Sequence, residues 1–257
     1  MKIFAMCMEC QNVLGRPSFE PFFVPYYEDR LGYIKCSMGH TSAIVLQSQK
    51  FEVLLESGAN ALTAGFTLEA AASFYAALER LYEFAIKVIL HHRQVNGDTY
   101  DKMFKEMARQ SERQLGAFLA LYALEFGTAY LPNADITTFR NSVIHKGFIP
   151  TPDEAQKFCS NVYAEIFNIS QRLYQNFANA ITEVVSQDIR VRQAKIPEGI
   201  RVASMCGGGF FGFANQNQKP TFTEAYNSYI ETQTALSDAV PQLRALHQQL
   251  TRIPPDA

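Results

Sequence analysis

Leu68–His92 reads LEAAASFYAALERLYEFAIKVILHH, and its periodicity decides the class of fold. Phe74, Leu78, Leu81, Ala85 and Val88 recur at helical spacing on one face, while Tyr75, Tyr82 and Ile89 line the adjoining one. A helix that is apolar around much of its circumference lies at the centre of a bundle or at a subunit interface. The expected fold is therefore mainly α, a helical bundle, with whatever else the chain holds arranged around it.

On the N-terminal side, Lys50–Leu62 places Phe51, Leu54, Leu55, Ala59 and Leu62 on one side of a helix that Gly65 ends. The helix pair at 50–92 has the small-residue look of one tetratricopeptide-type unit, a scaffold reading that no second copy supports. On the C-terminal side, Asn96-Gly97 closes the long helix, and further helices fit Thr99–Gln110, Ser111–Phe126 and Asp135–Lys146. The next helix starts TPDE at Thr151, with a hydroxyl cap, proline at the first helical position and glutamate three residues after the cap, and runs to about Gln193. Met205–Gln218 (MCGGGFFGFANQNQ) reads as a flexible loop, and a last helix, interrupted or kinked near Pro241, spans about Thr223–Thr251.

Residues 1–48 read differently. Phe19–Val24 and Leu31–Lys35 are strand-like runs flanking Glu28-Asp29, which suggests a hairpin, and Thr41–Gln47 suggests a third strand. The expected organisation is a small zinc-ribbon-like β module over 1–48, a helical bundle over 49–200, and a Gly/Asn-rich loop plus a C-terminal helix over 201–257.

The chain has 257 residues, 47% of them hydrophobic, so it can bury a substantial core. A net charge of −2 gives no global positive field to draw it onto nucleic acid, so any such role needs a local patch. The opening MKIFAMCMEC lacks a long apolar stretch and no run approaches about 18 apolar residues, which reads as a cytoplasmic chain without a membrane span. Three of the five cysteines fall in the first 36 residues, a clustering that favours metal over disulfides in such a chain.

Those three have metal-ligand spacing. Cys7-x2-Cys10 sets two thiols one tight turn apart, and Cys36-x3-His40 forms a second pair with Gly39 beside it to permit a sharp backbone. Three thiolates and one imidazole fill a tetrahedral shell without an open position, so the expectation is a structural zinc site that staples a small module or presents it to a partner.

A second constellation lies about a hundred residues downstream, in Phe139–Gly147 (FRNSVIHKG). Ile136, Phe139 and Val143 face a core, whereas Asn141 and His145 share the opposite face one turn apart, with Arg140 long enough to reach either. Gly147 and Pro150 end the helix. The three polar residues suit phosphodiester cleavage: His145 to move a proton near neutral pH, Arg140 to stabilise charge on phosphorus, Asn141 to orient the nucleophile or the imidazole. On RNA the 2′-hydroxyl supplies the nucleophile, so no metal is required.

Arg140, Asn141 and His145 resemble the Arg-x(4–6)-His motif of the HEPN superfamily, in which Asn, Asp or His often follows the arginine. The resemblance extends over about residues 50–195, including the acidic, aromatic stretch Ala77–Ile86 ahead of the motif. It implies a homodimer in which two motif helices meet, and a metal-independent endoribonuclease of the kind found among toxins, with their antitoxin partners, and phage-defence effectors. Other members are non-catalytic modules that bind a protein partner or sense nucleic acid, and this stands as the alternative.

The remaining reactive residues have plainer readings. His91 and His92 read as solvated cations at a helix C-terminus, His247 as a surface residue and Cys159 as core. Cys206, before Gly207–Gly209, has no evident basic partner, and the glycines lack the Lys-Ser/Thr of a phosphate loop. Arg190, Arg192, Lys195 and Arg201 read as a solvated basic face.

Overall fold

In the computed structural model, which describes residues 1–207, 209–212 and 220–252, the chain is mainly α with a small β component. It divides into two compact units: one of residues 1–48, 187–209 and 227–257, the other of residues 49–186 and 210–226.

The helical unit is built on α2 (Lys50–Thr63) and α3 (Thr67–His92), with α4 (Gly97–Met107), α5 (Ser111–Phe126), α6 (Ala134–Lys146) and the larger part of α7 (Pro152–Gln193). α2 begins with a capping box between Gln49 and Glu52, and the Thr151/Glu154 box expected from TPDE is formed at the start of α7. α3 is the axial helix. Phe74, Leu81, Ala85, Val88 and Ile89 along it are fully buried, and it packs on α2, α5 and α6, one bundle rather than a repeated pair. Gly58 lets α2 approach closely, since a Cβ there would stand 2.4 Å from Cδ2 of Phe74. Phe210, just past the glycines, is 3% exposed and joins Phe74, Tyr163 and Phe222 in an edge-to-face cluster. Part of the expected flexible loop is therefore core; Gly208 and residues 213–218 of that stretch lie outside the described residues.

The smaller unit differs from the expected hairpin. β1 (Lys2–Ala5) leads to α1 (Met8–Leu14), and β2 (Phe22–Pro25) pairs antiparallel with β1, not with β3 (Leu31–Lys35). The hairpin is formed instead by β3 and β4 (Thr41–Leu46), paired from Leu31↔Val45 to Lys35↔Thr41. Gly32 on β3 explains how β2 can lie against it without pairing: a Cβ there would meet Val24 Cγ1 at 2.5 Å. β5 (Arg201–Met205), a segment expected to lie at the edge of a loop, adds to β4 in parallel.

The basic segment is also not a uniformly solvated face. Arg192 is 3% exposed; it donates to the Leu46 carbonyl and, like Arg30, to Asp188 Oδ2 at 2.8 Å. Arg201 pairs with Glu9, and Arg190 and Lys195 remain exposed. The last helix, α8 (Phe222–Arg252), continues through Pro241, and its 227–252 portion belongs to this unit. His247 on it is not a free surface residue: Nδ1 lies 2.8 Å from the Ser18 carbonyl and Nε2 3.3 Å from Ser37 Oγ. Among the described residues no helix is long and apolar enough to cross a membrane.

Candidate functional sites

Cys7, Cys10, Cys36 and His40 come together at the ends of two short elements. Cys7 caps the N-terminus of α1 and Cys10 lies inside its first turn, so both thiols face one side. Cys36 and His40 bracket the three-residue loop of the β3–β4 hairpin. The Cys36 amide donates to the His40 carbonyl at 3.0 Å and the Gly39 amide to the Cys36 carbonyl at 3.0 Å, with Gly39 at φ +81°. That positive φ is the conformation the tight loop requires and glycine supplies.

The four ligand atoms lie within 4.8 Å of one another. Cys10 Sγ is 3.6 Å from Cys36 Sγ and 3.3 Å from Nδ1 of His40. A tetrahedral ion with metal–sulfur bonds of about 2.3 Å holds its sulfurs roughly 3.8 Å apart, so the donor set has the dimensions of one metal site. The three thiols are buried. Burial pushes the Cys7 thiol up, but the Ser42 hydroxyl at 3.3 Å, the Cys10 amide and the neighbouring thiols bring it below its ordinary range. Burial, and then the Cys36 and Cys7 thiols, push the Cys10 thiol up to about 12. Without a cation, thiols this close resist ionising together; a bound cation removes that conflict.

The second cluster is in the helical unit. Arg140 Nη1 lies 2.9 Å from His145 Nε2 and donates to Asn141 Oδ1 at 3.0 Å. Arginine only donates, so in this contact Nε2 is the acceptor. The three residues singled out by the sequence are thus joined through one guanidinium at the C-terminal end of α6. His145 is exposed, Asn141 half-buried, and Ile136 and Val143 hold the opposite face in the core.

α3 supplies two further members that spacing along α6 does not reveal. Arg140 stacks over the Tyr75 ring at 4.9 Å, and its Nη2 is 3.8 Å from Glu79 Oε1. Arg140 Nε is buried without a hydrogen-bond partner. Burial pushes the Glu79 carboxyl above its ordinary range; Arg140 and Arg80 pull it down and Glu112 raises it further. Glu79 belongs to the acidic, aromatic stretch Ala77–Ile86, the one sequence signal that pointed there.

The other reactive residues are accounted for locally. His91 Nε2 is 2.7 Å from Glu183, and the His92 ring lies 4.9 Å from that of Phe177. Cys159 is fully buried, as expected, and its thiol is pushed up by that burial. Cys206 is exposed, with Gln47 Oε1 3.5 Å from its sulfur.

No family model matches the chain, and neither the curated proteins nor the solved structures contain a match to it.

Proposed function

We propose that this protein is a metal-independent endoribonuclease of HEPN type, active as a homodimer and suited to a toxin or phage-defence role. Cys7, Cys10, Cys36 and His40 hold one structural zinc ion that stabilises the smaller unit. The observation that carries the nuclease reading is the Arg140–His145–Asn141 contact set on an accessible helix end. In the reaction Arg140 turns from His145 Nε2 to the phosphate, and the freed Nε2 accepts the proton of an RNA 2′-hydroxyl while the 2′-oxygen attacks the adjacent phosphorus. Arg140 donates to the non-bridging oxygens as negative charge builds there, and Asn141 orients the imidazole or the hydroxyl. The P–O5′ bond breaks, the 5′-oxygen leaves and takes its proton from solvent water, and the products carry 2′,3′-cyclic phosphate and 5′-hydroxyl ends. The shell of three thiolates and an imidazole has no open position, which suits a staple rather than a catalyst.

One observation favours a second reading, a non-catalytic module that binds a protein partner or senses nucleic acid: Arg140 already has Glu79 and Tyr75 against it, as a structural arginine would. Purified protein and its His145→Ala variant, incubated with RNA in EDTA with the fold followed by circular dichroism, separate the two. The nuclease reading expects the variant to be slower by about 10²–10⁴-fold, the usual worth of a positioned acid–base group. Equal cleavage by both proteins, or none by either folded protein, sinks it. Recovery of a stable partner with no cleavage supports the module.

A further inference from the structure

The C-terminal end of α8 reaches the loop that carries two of the four metal donors, and it does so through residues outside the donor set. His247 Nδ1 lies 2.8 Å from the Ser18 carbonyl, and since a carbonyl only accepts, this nitrogen donates. Nε2 lies 3.3 Å from Ser37 Oγ. Ser37 in turn gives both its amide and its hydroxyl to Glu20 Oε2, each at 3.0 Å, and that oxygen is 3.9 Å from His247 Nε2. The His247 and Glu20 side chains are mostly covered, 14% and 21% exposed. One histidine therefore bridges three segments of the smaller unit: residues 18–20, the Cys36–His40 loop and α8.

Two features set this junction apart from an incidental helix contact. Ser37 lies between Cys36 and His40, in a loop closed by the Cys36 amide on the His40 carbonyl and the Gly39 amide on the Cys36 carbonyl. The backbone that aims two donors at the ion thus also places the Ser37 hydroxyl. Phe19, the second feature, lies at φ +58°, a left-handed conformation that bulky side chains rarely adopt. Such strain persists only where the surroundings over-determine the backbone. With the chain bent at Phe19, the Ser18 carbonyl faces His247 and the Glu20 carboxylate faces Ser37, while Ser18 Oγ accepts the Glu20 amide at 3.4 Å.

We infer that His247 is a positioning residue of the metal centre: through Ser37 it holds the Cys36–His40 loop in its ligating form, and a bound ion in turn holds the end of α8. The inference rests on the proposed zinc site and adds to it a link between two places that share no ligand. Such a link is reciprocal, so whatever His247 adds to metal affinity, the metal adds to the docking of α8. Outer partners that orient a metal ligand are worth about 10–100-fold in affinity. His247 acts one residue away from Cys36, through Ser37, which puts its effect at the lower end, about tenfold.

The full-length protein and its variants, each checked for helical content by circular dichroism, are titrated with zinc against a chelator of known affinity. His247→Ala and Ser37→Ala should each weaken zinc about tenfold. The double variant should lose little more than Ser37→Ala alone, because both changes cut one link. Gln248→Ala, at an exposed neighbour on α8, should leave the affinity unchanged. Ser37 is exposed in its loop, so its variant carries the titration even if His247→Ala unfolds. Hydrogen exchange reads the reciprocal effect: amides in the last turns of α8 should exchange faster once zinc is removed, and those of α3 should not. Zinc affinity unchanged in both variants, losses that simply multiply in the double variant, or α8 protection indifferent to zinc overturns the link and leaves the zinc site standing. A wild-type protein that takes up no zinc overturns both.

Discussion

The two polar clusters of this protein solve opposite problems. In the smaller unit, three buried thiols and an imidazole converge within 4.8 Å and satisfy one another poorly. In the helical unit, Arg140, Asn141, His145 and Glu79 already satisfy most of one another's hydrogen-bonding and charge, yet His145 opens to solvent. The first arrangement has the dimensions of a metal site, and on the proposed reading a bound cation fills it with no position left open. The second is internally paired as it stands, with His145 at its exposed edge. On the proposed reading, convergent burial marks a staple, and partial exposure with internal balance marks a working surface.

The comparison breaks most visibly at the metal cluster. Apparent binding free energies of structural zinc in small peptides are about 10–16 kcal/mol at pH 7, and that binding energy is folding energy. Cys36→Ser should therefore abolish stoichiometric zinc, measured by emission spectroscopy on the purified protein. It should also cost the smaller unit its cooperative unfolding transition. Cys206→Ser, at an exposed thiol outside the cluster, should change neither. Full zinc retention in Cys36→Ser would remove Cys36 from the site.

The next effect is on activity alone. Arg140→Lys keeps the positive charge but replaces a planar fork that reaches both Asn141 and His145 with a single ammonium. Cleavage should fall by about 10²–10³-fold, the usual loss when one oriented donor to a developing anion is removed, with thermal unfolding little changed. A fully active lysine variant would mean that only charge is needed there.

The same contrast explains what could be read from the sequence. Helix bounds were legible because each depends on local spacing and end signals: Ser111–Phe126 is as expected, and Thr151/Glu154 forms its box. The Cys7, Cys10, Cys36 and His40 cluster was legible because a tight turn brings each pair together whatever the rest of the chain does. The strand partners were not. β5 reaches β4 across more than 150 residues, and whether β2 pairs with β1 or β3 is decided by tertiary packing at Val24 and Gly32, not by the turn between them. Arg192 looked like one more surface cation because its partners, the Leu46 carbonyl and Asp188, become apparent only in the fold. Glu79 was hidden in the same way, on α3 rather than on the α6 helix that carries Arg140.

Glu79 also gives the smallest and most discriminating effect. Burial raises its carboxyl above the ordinary range despite Arg140 nearby, so the folded state favours the protonated form more than the unfolded chain does. The stabilisation this gives is fully present below the unfolded pKa and is lost as pH rises through the raised folded value. Wild-type stability relative to Glu79→Gln, from urea unfolding between pH about 4 and about 7, should accordingly decline as pH rises. That sign means the Arg140–Glu79 attraction does not outweigh the burial of the carboxylate, so Arg140 is not locked in an ion pair and can turn toward a phosphate. The opposite sign, with wild type gaining as Glu79 ionises, would make Arg140 a structural arginine and shift the balance to the non-catalytic module.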